Sequence, residues 1–564
     1  MTAAISLACA LIAYARIPAV ARGVVWAEDG RFFLEQRYDL GMLGSLFHVY
    51  QGYLQFVPRL VTDAATAIAP LSDYGLTVTR LICLLTGAIA GLVFLLSRDV
   101  VSSLWARATL ALITVLAPML PFEVLGNSAN IHWLCLWLAP WLLLFRPSRW
   151  WQSAILAALM MATVLTEIQA LLFLPLVAFQ IRHKKTWPVG AALLVGGAAQ
   201  VIGTLISPRD PSSGPPMTAL NALLGYVQNV LVGGMTGSAA DTGQLLTTYG
   251  WAIGLVFALP FVLAAGLIAA RSRWPDYPGF LALLAGATVT WVASAVANAG
   301  PRLLYSEQTQ EQLASVFILR YGLVPSMFLL ALVVLAADKL LAFRSIAVRV
   351  LGAVVLVACV AVQLLNFTAP VTRRDDGPAW GTGYAAALES CRAGASEATI
   401  PTAPEGWDAV LPCDLILGRT ATPAAVAEAS GPGSPSSPTP AGGDLWPDGA
   451  SPDTPRCTDA SAATVAAVNA TITTPQPGEA ASVGSLRAHP DPDAAVWILT
   501  GHLSTDFGAT VEVAWATTAD PTTPSFTGTL RSVGEAAATI STAPAISLVV
   551  NNPDGSGIPE DSCH

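Results

Sequence analysis

VLGAVVLVACVAVQLLN, residues 350–366, carries no charged side chain; Lys339, Arg344 and Arg349 precede it and a polar tail follows. At 1.5 Å per helical residue it comes close to spanning a hydrocarbon core of about 30 Å, and few soluble helices are apolar on every face. Stretches of the same kind lie near 3–21, 76–96, 108–122, 131–145, 152–166, 168–181, 188–206, 250–270, 279–298 and 321–337, which makes about eleven. The basic residues between them alternate. Arg98 and Arg107, Arg146 and Arg149, Arg182 with Lys184 and Lys185, Arg271 and Arg273, and Lys339 with Arg344 and Arg349 occupy every second loop, whereas 123–130 and 166–167 hold no Lys or Arg. Positive charge is retained on the cytoplasmic side, so this pattern places 22–75, 123–130, 207–249, 299–320 and the chain beyond 366 outside. The expectation is a multi-pass protein of the plasma membrane with an extracytoplasmic C-terminal region.

Composition agrees. Of 564 residues, 54% are hydrophobic and only 12% charged, against roughly a quarter charged in soluble domains. Three lysines (Lys184, Lys185, Lys339) leave little from which to build a basic groove, so nucleic acid is not an expected partner. Residues 1–21 could be read as a cleaved leader ending at Ala19-Val20-Ala21. The absence of a basic start and the presence of Arg16 favour a retained helix.

Past Asn366 the chain changes character. Residues 367–419 read as a small module, 420–456 as a Pro/Gly/Ser-rich linker, and 457–564 as a β module with strands near 495–503, 510–517, 525–532 and 545–550. Cys9, Cys83, Cys135 and Cys359 lie in apolar runs, and Cys391, Cys413, Cys457 and Cys563 in the tail. The most economical disulfides there are Cys391–Cys413 and Cys457–Cys563, with the other pairings open.

Polar side chains next to lipid are costly and point to function. Trp26-Ala27-Glu28-Asp29-Gly30 sets two carboxylates just outside the first helix, and the amphipathic stretch Phe32–Phe47 behind it suggests an interfacial helix on the outer leaflet. Either carboxylate could take a proton from a hydroxyl, or the pair could hold a divalent cation such as Mg or Mn. No other cofactor is indicated. Tyr53 and Arg59 follow, with His48 close by; Asn127, Asn130 and His132 enter the next apolar run, and Glu167 sits between two more. Arg302 and Arg320-Tyr321 stand on an outward loop, against the charge bias, and call for an anionic partner, either a carboxylate or a phosphate. A solvated loop and a satisfied inter-helix network are the plain alternatives.

This layout resembles the GT-C superfamily of membrane glycosyltransferases. The resemblance covers residues 1–366, with Glu28-Asp29 in the place of the acidic motif of the first external loop and 367–564 in the place of the trailing domain. It implies a polytopic α-helical fold and transfer of a sugar from a polyprenyl-phosphate donor to a cell-envelope glycan at the outer face of the bilayer. Asp29 or Glu28 would be the catalytic base, with Asp29 preferred because Gly30 would let substrate approach the backbone. Arg59, His132, Arg302, Arg320 and Tyr321 would meet the donor phosphate, and His48, Tyr53, Asn127, Asn130 and Glu167 would line the cavity. The tail departs from the oligosaccharyltransferase branch, because it has no Trp-Trp-Asp signature. The rivals are a transporter or flippase for a lipid-linked glycan, which an internal repeat would favour, and a non-enzymatic envelope scaffold. Reporter fusions test the topology: 98–107, 182–187 and 339–349 are expected inside, and 123–130, 299–320 and the tail outside. A cytoplasmic tail would reverse the reading.

Overall fold

The computed structural model describes residues 1–209, 215–271, 277–300, 303–369, 371–375, 377–404, 406–418, 457–472, 481–491, 496–505 and 510–533, and 537, 540–543 and 545–546. The chain forms two compact units, Met1–Ala424 and Ala425–His564.

Among the described residues of the first unit, seven helical stretches are long and apolar enough to cross a membrane: Leu71–Asp99, Leu104–Glu123, Lys184–Ile206, Ala239–Arg271, Tyr277–Ala297, Arg320–Leu341 and Ile346–Leu365. Shorter apolar helices cover Thr2–Arg16, Ile131–Leu144 and Trp150–Val164. Burial separates them. Every residue of Ile131–Leu144 is buried, so its neighbours, not lipid, set its environment and it can be short. Its Trp137 packs 5.6 Å from Trp141 and 5.4 Å from Phe328. Such contacts act mainly through close packing, since lipid is as apolar as the side chains. Ile346–Leu365 instead turns Val350, Val354, Val357 and Leu365 outward.

The first helix belongs to this fold. Arg16, fully buried, donates from Nη1 to the carbonyls of Val115 at 2.5 Å and Ala117 at 3.1 Å. Its Nε and Nη2 reach Phe367 and Asn366 at 2.6 and 2.9 Å. One guanidinium thus joins three parts of the chain far apart in sequence.

Two expectations are corrected. The stretch 168–181 is a 3-10 turn, Ile168–Phe173, followed by a short helix, Pro175–Gln180. Pro175 supplies no amide to continue the turn before it and is suited to start a new helix. Phe32–Phe47 is likewise not one helix: wide turns over Asp29–Leu34 lead into Glu35–Asp39, and a break at Gly41 (φ +69°) precedes Gly41–Leu46.

Beyond the last long helix, Trp380–Arg392 and a hairpin of Glu397–Pro401 with Asp408–Pro412 pack onto the helical part. A disulfide between Cys391 and Cys413 joins the helix end to the hairpin, with Cα atoms 5.2 Å apart. In the second unit, the long strands Val496–Thr505 and Thr510–Thr517 pair antiparallel at the centre of a sheet that has seven strands among the described residues. Alternation puts Trp497, Leu499, Val513 and Trp515 in one core with Val468 of the helix Ala462–Thr471, and Val496, Ile498, Ala514 and Ala516 on the other face. The strand expected at 525–532 shrinks to Arg531–Val533, since Phe526 and Leu530 are used as core side chains without pairing. The Cys457–Cys563 pairing and the end of the last expected strand lie outside the described residues. Non-reducing mass spectrometry should recover a Cys391–Cys413 crosslinked peptide, with Cys9, Cys83, Cys135 and Cys359, all free and buried, alkylated only after unfolding.

Candidate functional site

The acidic pair is placed by main-chain pairing. Ala403 of the tail hairpin receives a bond from Ala27 N at 2.6 Å and donates to Val25 O at 2.9 Å. The chain then turns, with Asp29 N and Gly30 N both donating to Trp26 O. Gly30 is needed there because a Cβ would come within 2.7 Å of the Thr402 methyl. Hairpin contact, not substrate approach, explains this glycine.

The two carboxylates part ways. Asp29 is 1% exposed, and its oxygens accept from Ser128 N, Ser128 Oγ and Ala129 N, each at 2.8 Å. Tyr74 holds its peptide oxygen at 2.8 Å. Burial nevertheless pushes its pKa up to about 6 against the pull of those donors. Asp29 is a strut for the loop 126–130, which corrects the preference for it as base. Glu28, half-buried, turns elsewhere: its Oε2 is buried and has no hydrogen-bond partner among the described residues.

Around Glu28 the structure gathers residues from five stretches of chain. Tyr50 and Tyr53 face each other across a two-residue hairpin whose turn needs positive φ at Gln51 and Gly52. Tyr50 packs on Phe32 with centroids 4.5 Å apart. Glu28 and Arg320 act electrostatically on both phenols, and burial raises the pKa of each. Arg320 pairs with Glu123 and lies 5.5 Å over the Tyr321 ring. Its anionic partner is therefore a carboxylate of this chain. Tyr321 stacks near Trp133 at 5.8 Å, whose indole nitrogen has no partner among the described residues. His132 bonds Glu167 through Nδ1, and Glu167 in turn acts on Tyr53. Together these form one polar cluster.

Other expected site residues fall at its margins. Asn127 and Asn130 serve their own loop: Asn127 Oδ1 accepts from Asn130 N and Nδ2 at 3.0 and 2.9 Å. Arg59, buried against Phe33, donates to Gln36 at 2.7 Å, while its Nε and Nη1 have no partner among the described residues. Burial lowers its pKa to about 10, and it reaches the cluster only electrostatically, through Tyr50. His48 is exposed, and Arg302 lies outside the described residues. Sequence reading missed Arg209, which acts on both tyrosines and bonds Asn298 at 2.7 Å. An isolated arginine on a loop expected to face outward was the available signal, the same one that marked Arg320.

The pair does not suit a chelated cation, since both Asp29 oxygens already accept hydrogen bonds and only Glu28 remains. Among the described residues no group of three or more His, Cys, Asp or Glu could hold a metal ion.

A carboxyl whose pKa is higher folded than unfolded favours folding at low pH, and this contribution is lost as pH rises through the folded value. For Asp29 the window runs from 3.8 to about 6, a change of about 3 kcal/mol at 1.36 per pH unit. Asp29→Asn removes this titration along with one acceptor oxygen. The melting-temperature deficit of the mutant should therefore be largest near pH 4 and narrow toward pH 6; a deficit independent of pH would mean an ordinary carboxyl. The functional reading rests on this geometry and on the sequence, because the chain matches no protein-family model, no curated protein and no solved structure.

Proposed function

We propose that this chain is a GT-C-like glycosyltransferase of the plasma membrane. On this reading about eleven apolar segments cross the bilayer, the one at 168–181 as a broken segment and not as a helix, and both the polar cluster and the C-terminal region lie on the extracytoplasmic side. It moves a sugar from a polyprenyl-phosphate donor to a cell-envelope glycan. The observation that supports this most is the Glu28 Oε2 atom, buried, without a partner among the described residues, and within electrostatic reach of Tyr50, Tyr53 and Arg320. A buried carboxylate oxygen without a donor costs about 1–3 kcal/mol or more, so proteins seldom keep one without a use. A hydroxyl of the acceptor would supply the missing donor.

In this mechanism Glu28 takes the acceptor hydroxyl proton, the freed oxygen attacks the anomeric carbon, and the bond from that carbon to the phosphate oxygen breaks. Charge then grows on the departing lipid phosphate. Arg320, its side chain 33% exposed although paired with Glu123, is the cation that would meet this charge, and Arg209 acts electrostatically on the same two tyrosines. Arg59 adds a more distant positive charge through Tyr50. The unmatched Trp133 indole and the phenols of Tyr50 and Tyr53 suit a polyhydroxylated ligand, which needs both donors and acceptors.

One observation favours a second reading. The His132–Glu167 pair, buried next to Tyr53, is the kind of intramembrane couple that also carries charged headgroups or protons in transporters. Glu28→Gln separates the two. In proteoliposomes supplied with polyprenyl-phosphate sugar and envelope glycan, it should lower transfer by about two to four orders of magnitude with an unchanged melting temperature. Full transfer in this variant removes Glu28 from the chemistry. Absence of transfer in the wild type, together with movement of lipid-linked glycan between leaflets, would establish the transporter.

A further inference from the structure

We propose that Arg374, in the segment after the last long helix, is a positioning residue for the carboxylate pair: it fixes the 125–130 loop that holds Asp29, and so aims Glu28 into the polar cluster. This rests on the reading of Glu28 as proton acceptor.

Arg374 is 2% exposed and its guanidinium has no ion pair among the described residues. It donates from Nη1 to Gly126 O at 3.0 Å and from Nη2 to Leu125 O at 2.5 Å. Two residues farther on, Ser128 and Ala129 donate to Asp29. The loop is thus gripped through its carbonyls by Arg374 and through its amides by Asp29. Gly126 has φ +87°, and a Cβ on it would stand 2.6 Å from Ile17 Cδ1 and 2.8 Å from Arg374 Nη2, so the loop leaves room for both the first helix and the guanidinium. A tight turn presents it: Thr372 N and Oγ1 both bond Asp375 at 2.6 Å, and Arg373 N bonds Phe122 O at 2.9 Å.

A strap needed only for packing would be less costly as an apolar side chain, because burying a charge is expensive. Arginine adds two directed bonds and a positive charge within electrostatic reach of Asp29. Ionised Asp29 is thereby balanced by the tail, and Glu28 is left as the carboxylate that faces ligand. The titratable and charged groups around the pair are Tyr74 and Arg374 next to Asp29, and Tyr50, Tyr53 and Arg320 next to Glu28. Of the two cations, only Arg374 stands on the Asp29 side.

The test compares full-length wild type, Arg374→Lys and Arg374→Met in proteoliposomes. It reads amide hydrogen exchange of 126–130, the kcat and KM for a polyprenyl-phosphate donor, and the pH profile of transfer. For Arg374→Met, exchange of the loop should rise at least tenfold and kcat fall at least tenfold, with KM changed less than twofold. The acid limb of its profile should move to higher pH, since Asp29 loses the cation within its electrostatic reach. Arg374→Lys keeps the charge and loses the fork, so its acid limb should stay in place while kcat recovers in part. Unchanged exchange and kcat in a folded Arg374→Met overturn the proposal; should that variant fail to fold, unchanged exchange with full kcat in Arg374→Lys does the same. A wild type without transfer activity refutes the glycosyltransferase reading alone. The exchange data then decide whether Arg374 fixes the loop.

Discussion

The Asp29 carboxylate, buried and accepting from Ser128 and Ala129, is the contact on which this end of the helical unit depends. A buried carboxylate must find donors, and a buried loop must find acceptors for its amides. Each solves the other's problem here. The consequences spread outward: Glu28 is left facing the cluster, Arg374 closes the same loop from its carbonyl side, and Gly30 and Gly126 are kept small where the tail presses in. The tail hairpin is therefore part of the local structure around the acidic pair. Glu35 strengthens that junction by accepting from Val410 N at 2.6 Å, and burial raises its pKa to about 7.

Among the apolar helices the same rule holds on a larger scale. Ionisable groups are kept where another element satisfies them. Glu123 meets Arg320 and His132 meets Glu167, while Asp338 accepts from Ser102 N and Ser103 N at the start of another helix. Arg16 spends its donors on carbonyls at helix ends, where those groups have no partner within their own helix. Glu28 Oε2, the Trp133 indole and two nitrogens of Arg59 depart from this rule among the described residues, as do the Trp141 indole, Arg107 Nε and several glutamine oxygens elsewhere. Glu28 and Trp133 both belong to the polar cluster, which is why function is sought there.

Much of the fold was legible because its signal is local. A run such as 350–366 states its own environment whatever surrounds it, and most of the apolar runs became helices within a few residues of their expected bounds. Legibility failed where a neighbour decided. The stretch 168–181 has the composition of a span, yet Pro175 divides it. Phe32–Phe47 has the pattern of one helix, yet it breaks at Gly41. For the site, the residue types were readable and their division of labour was not. Glu28 and Asp29 are adjacent and chemically alike, and nothing in their order says which will meet Ser128.

Residue order alone settled the apolar character of the long helices, the alternation of basic loops, the change of composition after Asn366, and the pairing of Cys391 with Cys413 as the economical choice. These follow from composition and spacing along one short stretch at a time. The partner of Arg320, the separate fates of Glu28 and Asp29, and the arrival of Arg374 beneath Gly126 were decided only by the folded chain. Each depends on contacts between residues about a hundred or more positions apart, and no local pattern encodes which of several distant polar groups will be brought within 3 Å.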